Sequence, residues 1–316
     1  MDKASRIYVA GHRGLAGSAI TRELQCQGYT NLVVRTHAEL DLEDAAATRR
    51  FFEQERPETV FLAAAKVGGI HANNTYPADF LMSNLLIEAN ICRAAYATKV
   101  NRMIFLGSSC IYPRDCPQPI KEEYLLTGPL EATNRPYALA KIAGIEMCWS
   151  YNRQYGTKWL AAMPTNLYGP GDNYDLNNSH VLPALIRKIH EAKLSSTTEV
   201  VLWGSGTPRR EFLYVDDLAN ALVFLAALDD ERYNSLVDPA LCPLINIGTG
   251  EDLTILELAK IIAEIVGHKC KFTQDTSKPD GVMRKVMDVS KICGLGWKAS
   301  TSLKKGIDLT YRKFAA

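Results

Sequence analysis

The sequence predicts an α/β protein, a doubly wound parallel sheet with a second, smaller α/β substrate domain. Strand-like and helix-like segments alternate through the first two-thirds of the chain, and the strand-like segments are short, uninterrupted apolar runs. Such runs are typical of strands whose two faces are both covered by helices. Repeated β-α-β units imply parallel strands joined by right-handed crossovers.

The predicted elements follow one another in a regular order. The series begins with RIYVAG and the helical SAITRELQCQG, then NLVVRT and EDAAATRRFFEQER, then TVFLAAA and PADFLMSNLLIEANICRAAYATKV. It ends with RMIFLGS, the helical YALAKIAGIEMCWSYNRQYG and the strand-like KWLAAMPTNLYGP. We predict that these segments form a dinucleotide-binding domain over residues 1–175.

After residue 175 the alternation loosens. We predict a helix in NNSHVLPALIRKIHEAK, two strands around a turn in EVVLWGSGTPRREFLYV, a helix in DDLANALVFLAAL and a strand in LINIGTG. The segment TILELAKIIAEIVG is an amphipathic helix with Thr254 as its N-cap. The prediction is that residues 214–247 return to the first domain, whereas 176–213 and 248–316 form the substrate-binding domain.

Composition and charge narrow the possible function classes. Of the 316 residues 47% are apolar, enough for a sizeable core, and 36 Lys+Arg stand against 35 Asp+Glu, so nothing favours a polyanion-binding surface. The N-terminus lacks the apolar core of a signal peptide, and the longest apolar runs are too short to span a bilayer. Eight scattered cysteines without a Cys-x-x-Cys pair are typical of free cytosolic thiols. We therefore expect a cytoplasmic protein without a nucleic-acid or membrane partner and without a metal.

A glycine-rich turn, GHRGLAG at residues 11–17, stands between the first predicted strand and the first predicted helix. Gly11 permits a tight turn, Gly14 lets the backbone approach a pyrophosphate, and Gly17 lets the helix pack on the sheet. A glycine triplet alone could be a structural turn, but this position indicates a dinucleotide site of the Rossmann type. The residues predicted to contact the cofactor here are Gly11, His12, Arg13, Gly14, Leu15, Ala16 and Gly17.

Cationic residues near the end of the second strand predict which dinucleotide binds. NAD-selective sites usually place an acidic residue there to hold the ribose hydroxyls. Here VVRTHAEL supplies Arg35 and His37, and Arg13 lies in the glycine loop. Such donors suit a 2′-phosphate, so NADP(H) is favoured over NAD(H) as the cofactor. The alternative is that the arginines are ordinary solvated surface residues.

A tyrosine, a lysine and a serine form the predicted catalytic set. Tyr137 is followed four residues later by Lys141, and on a helix these positions share one face. The lysine cation is expected to lower the pKa of the phenol, which can then exchange a proton with a carbonyl or alcohol oxygen. Ser108, on the loop after the fourth strand, could donate a second hydrogen bond to that oxygen. A Tyr/Lys pair alone could be a surface accident, but the glycine loop, the serine and the pair in this order are more specific.

Eight motifs, some of which contain the residues just described, carry a resemblance over nearly the whole chain. They are AGHRGLAGSAI, LAAAKVGGIHANNTYPADF, LGSSCIYP, EATNRPYALAKIAGI, MPTNLYGPGDN, NSHVLPAL, WGSGTPRREFLYVDD and SKPDGVMRK. With them the chain resembles the extended short-chain dehydrogenase/reductases, and among these the bifunctional GDP-sugar epimerase/reductases. The resemblance implies conversion of GDP-4-keto-6-deoxy-D-mannose to GDP-L-fucose by inversion at C3 and C5, followed by NADPH-dependent reduction of the C4 ketone.

The resemblance also implies roles for two residues that a plain reductase would not need. The motif cysteine and histidine, here Cys110 and His180, serve as acid and base on opposite faces of the sugar. A free thiol titrates at about pH 8.5, so a small shift would bring Cys110 close to neutrality, and His180 titrates in a suitable range. Without the resemblance, Cys110 could be a buried thiol and His180 a polar residue at a helix N-terminus. Ser108 and Tyr137 would hold the enediolate at C4.

Further contacts follow from the resemblance alone. The remaining predicted cofactor-binding residues are Arg35, His37, Asp41, Leu42, Leu106, Gly107, Ser108, Ser109, Lys141, Pro164, Thr165, Asn166, Leu167 and His180. The predicted substrate-binding residues are Arg187, Lys188, Trp203, Arg210 and Asp280. The family often has arginine where Lys188 stands, and Arg187 could substitute, although its neighbouring helical position would point it elsewhere. A homodimer through the long helices ADFLMSNLLIEANICRAAY and YALAKIAGIEMCWSY is also implied.

Two other functions stay open at this point. A sugar-nucleotide 4-epimerase that retains NAD would need Tyr137 and Lys141 but neither Cys110 nor His180, and it would show no net turnover of NADPH. A cofactor-sensing binding protein on the same fold would need no catalytic tyrosine, because a fold does not determine a function.

Overall fold

The structure is a computed structural model that describes residues 1–176, 178–278 and 280–316, apart from the side chains of residues 70 and 71. Its strands are β1 (Ile7–Ala10), β2 (Leu32–Val33), β3 (Thr59–Leu62), β4 (Arg102–Leu106), β5 (Lys158–Pro164), β6 (Asn166–Tyr168), β7 (Glu199–Trp203), β8 (Arg209–Arg210), β9 (Phe212–Tyr214), β10 (Leu244–Ile247), β11 (Leu253–Thr254), β12 (Lys271–Asp275) and β13 (Arg284–Lys285). Its helices are α1 (Leu15–Cys26), α2 (Ala45–Glu55), α3 (Ile70–Thr75), α4 (Pro77–Ala97), α5 (Arg135–Tyr155), α6 (Val181–Leu194), α7 (Val215–Ala227), α8 (Asp230–Leu236), α9 (Ile255–Val266), α10 (Ser290–Gly294) and α11 (Leu303–Ala315). Asn177, the first residue of the helix predicted in NNSHVLPALIRKIHEAK, and Pro279 of the motif SKPDGVMRK lie outside the described residues.

In the described chain, six parallel strands form the central sheet in the order β2–β1–β3–β4–β5–β10. The chain leaves β1 to one side to form β2 and returns on the other side as β3, so the strand order reverses at β1. Ligands of open α/β sheets bind at such a switch point, beyond the carboxyl ends of the strands. The predicted doubly wound parallel sheet is confirmed.

Helices cover both faces of this sheet, as the alternating side chains of β1 illustrate. Ile7 and Val9 belong to the hydrophobic core that contains α1 and α7. Tyr8 and Ala10 belong to the core that contains α2, α4 and α5. Both faces of the strand are therefore buried, which explains its uninterrupted apolar sequence. None of the helices in the described ranges is long and apolar enough to cross a membrane.

The segment between β7 and β9 differs from its prediction. Two strands were expected in EVVLWGSGTPRREFLYV, but the structure has three, β7, β8 and β9. Gly204 and Gly206 have φ angles of +74° and +73°, a region that favours glycine, and they separate β7 from β8. Strand β8 can therefore pair with β11 and β13, while β7 pairs with β12 and β9 with β6. Together with α6, α9 and α11, these small sheets enclose a third hydrophobic core.

The division into two domains stays a prediction. Strand β10 pairs with β5 in the central sheet, and α7 contacts α1. Ile292 and Trp297, which the predicted boundary assigns to the substrate domain, lie in the same hydrophobic core as β1. Part of the C-terminal segment that the prediction assigned to the substrate domain therefore packs in the same core as the central sheet.

Candidate active site

A cleft of about 1540 Å³ lies at the carboxyl ends of the central strands and extends to the small sheets. It is lined by all of the predicted site residues except His12 and Arg187. The predicted residues that line it are Gly11, Arg13, Gly14, Leu15, Ala16, Gly17, Arg35, His37, Asp41, Leu42, Leu106, Gly107, Ser108, Ser109, Cys110, Tyr137, Lys141, Pro164, Thr165, Asn166, Leu167, His180, Lys188, Trp203, Arg210 and Asp280.

The glycine loop forms a cradle that side chains would fill. Gly11 has a φ of +83°, and a Cβ there would lie 2.7 Å from the backbone N of Ala64, just after β3. A Cβ on Gly17 would collide with the carbonyl oxygen of Gly11. Helix α1 begins at Leu15, and its N-cap residue Gly14 supplies no side-chain hydrogen bond to the first turn. The loop therefore leaves room and backbone N–H groups for the pyrophosphate of a dinucleotide.

The cations at the adenosine end of the cleft differ in how far they are already engaged. The guanidinium of Arg35 forms an ion pair with Glu55 at 2.6 Å. His37 is exposed, and its Nδ1 lies 3.9 Å from Oδ1 of Asp41. Arg13 lines the cleft and forms no ion pair with a described residue. Arg13 is therefore the cation most available to a 2′-phosphate.

Helix α5 carries Tyr137 and Lys141, and Ser108 lies two residues after the end of β4. The Ser108 hydroxyl lies close enough to the Tyr137 phenol to act on the pKa of the phenol by hydrogen bonding. Lys141 Nζ donates to the carbonyl of Leu106 at 3.1 Å and lies 5.9 Å from the centre of the Tyr137 ring. The ring of Tyr137 packs edge-on against Phe80, with 6.4 Å between the centroids. These contacts bring the three side chains together where α5 passes the end of β4.

The pKa of Tyr137 is raised in this structure, whereas Lys141 was expected to lower it. Burial is the main cause, the charges of Cys110 and Glu88 act in the same direction, and the hydrogen bond with Ser108 opposes them. The expectation fails because burial outweighs the neighbouring charges; in addition, Lys141 is already paired with a carboxylate, with its Nζ 3.1 Å from Oε1 of Glu88 and both side chains buried. The phenol therefore keeps its proton and is suited to donate it.

Cys110 lies on a 3₁₀ turn, Ser109–Ile111, directly after Ser108. The Ser108 Oγ accepts a hydrogen bond from the Cys110 N–H at 3.5 Å and so caps this turn. Burial raises the pKa of the Cys110 thiol, which corrects the expected shift toward neutrality. Lys285, the Ser108 hydroxyl and Lys141 lower it in turn. The thiol therefore depends on its neighbours, Lys285 above all, to lose its proton.

His180 is the N-cap residue of α6 and lines the same cleft. The walls of the cleft partly remove its imidazole from bulk water and so lower its pKa, although the residue stays open to the cleft, and the positive charge of Lys285 lowers the pKa further. The imidazole is therefore neutral at neutral pH and able to accept a proton, since its pKa lies below the usual value of about 6.5.

Lys285, at the end of β13, is a site residue that the sequence analysis missed. Its charge acts on both Cys110 and His180, and it forms no ion pair with a described residue. Burial lowers the pKa of Lys285, while the Cys110 thiolate would raise it. The motif SKPDGVMRK contains this lysine, but its place beside Cys110 depends on a fold contact between distant segments.

Basic and aromatic side chains line the end of the cleft next to the small sheets. Lys188 Nζ lies 5.0 Å from the centre of the Trp203 ring, and Lys278 Nζ lies 5.4 Å from the same centre. Burial lowers the pKa of Arg210, while the carboxylate of Asp280 acts to raise it. This end of the cleft is therefore suited to an anion that carries a flat or sugar-like group.

Two predicted residues lie elsewhere. Arg187 forms an ion pair with Glu191, Nε to Oε1 at 2.7 Å, and does not line the cleft. Lys188 does line it, so the structure favours Lys188 in the choice that the sequence left open. The Nδ1 atom of His12 is buried and has no hydrogen-bond partner among the described residues.

Asp172 is a second cleft residue that the sequence analysis missed. Its Oδ1 accepts a hydrogen bond from the N–H of Asn173 at 2.7 Å, while its Oδ2 is buried without a partner among the described residues. Burial raises the pKa of this carboxyl to about 6. The motif MPTNLYGPGDN contains Asp172, but nothing in the pattern distinguishes it from an ordinary surface acid.

Comparison with known proteins places this geometry in context. Residues 7–235 match the model of a family described as "Epimerase: NAD dependent epimerase/dehydratase family". The chain is 56% identical over 310 residues to GDP-L-fucose synthase 1 of Arabidopsis thaliana. The aligned region covers 98% of this chain and 93% of that relative. It is 54% identical over 309 residues to GDP-L-fucose synthase of Escherichia coli (strain K12), and this alignment covers 98% of this chain and 96% of that relative. Among solved structures it resembles MlghC, a GDP-mannoheptose C4 reductase from Campylobacter jejuni with NADP bound, with a TM-score of 0.90, 40% identity and complete coverage of both chains.

Proposed function

Because this chain belongs to the NAD dependent epimerase/dehydratase family, we propose that its cleft carries out two successive reactions on one bound substrate. GDP-4-keto-6-deoxy-D-mannose is inverted at C3 and C5 and then reduced at C4 to GDP-L-fucose. One observation carries the proposal: Cys110 and His180 line the same cleft as Ser108 and Tyr137. A 4-epimerase that retains NAD has no use for the first two.

The cofactor is NADP(H). The glycine loop at residues 11–17 would hold its pyrophosphate, Arg13 its 2′-phosphate, and Lys141 its nicotinamide ribose. When bound, NADPH supplies the hydride that reduces C4. The rigid packing of α1 against the sheet fixes the loop, and the bare N-terminus of that helix favours the negative charge.

Inversion requires an acid and a base on opposite faces of the sugar. The C4 ketone acidifies the protons at C3 and C5. A base takes the proton from carbon, the electron pair moves to the C4 oxygen, and an acid returns a proton to carbon on the other face. Cys110 and His180 share one mobile proton between them for this task, either as thiol and neutral imidazole or as thiolate and imidazolium.

Ser108 and Tyr137 act on the C4 oxygen in both reactions. During inversion their hydroxyls donate hydrogen bonds to the enolate oxygen and so stabilise its charge. During reduction Tyr137 gives its proton to the developing alkoxide at the same oxygen. The raised pKa of Tyr137 keeps that proton in place until the alkoxide forms.

The GDP part of the substrate would bind at the end of the cleft next to the small sheets. Arg210 can hold the diphosphate through two parallel hydrogen bonds, whereas Lys188 supplies a single positive charge. Trp203 is half-exposed and offers a flat face to the substrate. Asp280 accepts a hydrogen bond from the Ser205 N–H at 2.7 Å, which fixes the carboxylate beside Arg210.

We also propose that the protein works as a homodimer in the cytoplasm. Apolar side chains on α4 and α5 are exposed in the single chain, among them Met82, Leu86 and Leu139. Tyr96 and Tyr155 extend this surface, with their ring centroids 4.3 Å apart. All eight cysteines are free thiols, which fits a reducing compartment. A Leu86→Glu variant should sediment as a monomer where the parent chain sediments as a dimer.

The experiment that tests the function is an incubation with GDP-4-keto-6-deoxy-D-mannose and NADPH. We expect one NADPH to be oxidised for each GDP-L-fucose formed, with a slower reaction when NADH replaces NADPH. Interconversion of sugar nucleotides without any net loss of NADPH would refute the proposal and support the 4-epimerase instead.

A further inference from the structure

Lys141 has a buried acidic partner on the neighbouring helix. Glu88 lies on α4 and Lys141 on α5, and their side chains meet with Oε1 of Glu88 3.1 Å from Nζ of Lys141. Each of the two residues is only 1% exposed. A carboxylate so far from water is costly unless a cation or hydrogen-bond donors compensate for its lost hydration. Glu88 therefore requires an explanation that the Tyr/Lys/Ser set does not give.

A glycine on α5 makes the space that this carboxylate occupies. Gly144 lies three residues after Lys141, on the same face of the helix. A Cβ on Gly144 would lie 2.9 Å from Oε2 of Glu88 and would also collide with the ring of Phe105. Helix α5 thus places a cation and a gap one turn apart, and the side chain of Glu88 fits both.

Few titratable groups lie near the Glu88 carboxylate. Its Oε2 accepts no hydrogen bond from a described residue. The titratable groups that face it are Lys141, Tyr137 and Cys148 from α5 and Cys92 from its own helix. Among these described neighbours Lys141 is the one cation. The pair is therefore close to neutral as a unit, and its net effect on Tyr137 is small or unfavourable to the phenolate.

We propose that Glu88 is a positioning residue that holds the Lys141 ammonium and balances its charge, so that Tyr137 stays protonated for the reduction of C4. An unbalanced lysine at this distance would favour the phenolate, which has no proton to give. The proposal rests on the proposed function, since it assigns Glu88 to the reduction step of that reaction. It adds that this site is set toward proton donation by a residue outside the cleft.

Glu88→Gln tests the proposal because it removes the charge and keeps the shape. The enzyme is first incubated with GDP-4-keto-6-deoxy-D-mannose alone, so that inversion reaches equilibrium, and is then mixed with NADPH in a single turnover. The rate of the first turnover is measured across neutral and alkaline pH. In the parent enzyme we expect the rate to fall only at high pH, where Tyr137 loses its proton.

In Glu88→Gln the pKa of Tyr137 should fall, because one of the charges that add to the effect of burial is gone and Lys141 has lost its counter-charge. The alkaline decline in rate should therefore move to lower pH by about one unit or more, the usual effect of one nearby charge. Glu88→Asp, which keeps the charge, should restore much of the parent profile. The matched control is Glu122→Gln, since Glu122 is a half-buried carboxylate whose pKa is raised by burial but whose charge does not act on Tyr137; its profile should not move.

The outcomes separate this proposal from the proposed function. If the parent enzyme oxidises no NADPH with this substrate, the function itself is wrong. If the parent is active but Glu88→Gln keeps the parent pH profile, with only its melting temperature lowered, Glu88 is a structural residue and the inference is overturned. Should Glu88→Gln fail to fold, a parent-like profile in Glu88→Asp together with a shifted profile in Glu88→His would support the proposal, and two parent-like profiles would overturn it.

Discussion

Two lysines face the cleft under opposite electrostatic conditions. Lys141 belongs to the reduction side of the cleft, by which we mean Tyr137 and Lys141, and is paired with the buried carboxylate of Glu88 at 3.1 Å. Lys285 belongs to the inversion side, by which we mean Cys110, His180 and Lys285. It forms no ion pair with a described residue, and its charge acts on Cys110 and His180. Burial raises the pKa of both the Tyr137 phenol and the Cys110 thiol, but the charge of Lys285 opposes this rise at the thiol and also lowers the pKa of the His180 imidazole.

The difference shows how one cleft can hold two kinds of proton chemistry. A balanced lysine leaves its neighbour protonated, as a group that donates a proton once must be. An unbalanced lysine favours the anion of its neighbour, as a group that repeatedly takes and returns protons must allow. The residue type is the same at both positions, so the carboxylate beside Lys141 contributes to the difference, together with the burial of the groups that the two lysines face.

The largest effect should follow from breaking the inversion side alone. Cys110→Ser replaces the thiol by a hydroxyl that is far too weakly acidic to exchange protons with carbon. Exchange of deuterium from heavy water into C3 and C5 should fall by about 10²–10⁴-fold, while NADPH binding stays normal. Mass spectrometry of the substrate gives the exchange rate. Normal product at the parent rate would mean that the thiol has no chemical role.

Breaking the reduction side should give the opposite pattern. Tyr137→Phe removes the proton donor but keeps the ring that packs edge-on against Phe80. NADPH oxidation should fall by a factor of about 10²–10⁴, while deuterium exchange at C3 and C5 survives in part because Cys110 and His180 are intact. Both rates can be read from one sample by absorbance and mass spectrometry. An equal loss of both would contradict the separation of the two sides.

Removing the charge of Lys285 should have a smaller effect and tests the comparison of the two lysines. Lys285→Gln removes the positive charge that lowers the pKa of both Cys110 and His180. Both pKa values should rise, so the pH range over which the pair shares one proton should move to higher pH by about one unit or more. The readout is the pH profile of deuterium exchange.

The control for this variant is Lys285→Arg, which keeps the charge. Its exchange profile should match the parent profile in position, even if the rate is lower. The charge of Lys285 is not among the influences on Tyr137, so the alkaline decline of reduction should stay in place in both variants. A profile for Lys285→Gln that does not move would mean that Lys285 acts only through binding.

The smallest effect should come from an exposed cation far from both sides. His37 is exposed and lies 3.9 Å from Asp41, so it adds positive charge near the expected 2′-phosphate only when it is protonated. The preference for NADPH over NADH should increase from mildly alkaline to mildly acidic pH. The increase should be modest, because Arg13 supplies a constant charge. Protonation of the phosphate itself near pH 6, roughly, should limit the increase at the acid end.

Dissociation constants for NADPH and NADH across this pH range would measure the effect. His37→Arg should remove the pH dependence and tighten NADPH binding, and His37→Ala should remove it and weaken binding. A ratio that is flat with pH in the parent and unchanged in His37→Ala would show that His37 does not touch the phosphate.

Much of the fold follows from local sequence. The strands of the central sheet are apolar runs and the glycine loop follows the first of them, so the sheet and its binding edge can both be predicted. The turn after β7 could be predicted as well, but the separate strand β8 could not, because it pairs with β11 and β13, which come much later in the chain.

The identities of the site residues were easier to predict than their proton affinities. Ser108, Cys110 and Tyr137 could be named from motifs, and the structure brings all of them to one cleft. The expected pKa values of Cys110 and Tyr137 were wrong in direction, because burial outweighs the neighbouring charges. Glu88 and Lys285 determine the balance that remains, and neither lies near its partner in the sequence.

We propose that inversion and reduction occur in one cleft with different proton donors, and one incubation in heavy water with GDP-4-keto-6-deoxy-D-mannose and NADPH tests this directly. We expect a reduced product that carries solvent deuterium on carbon at C3 and C5, and the hydrogen from NADPH on carbon at C4. A reduced product without deuterium at C3 and C5 would contradict the claim, because the ketone would then have been reduced without any action of Cys110 and His180.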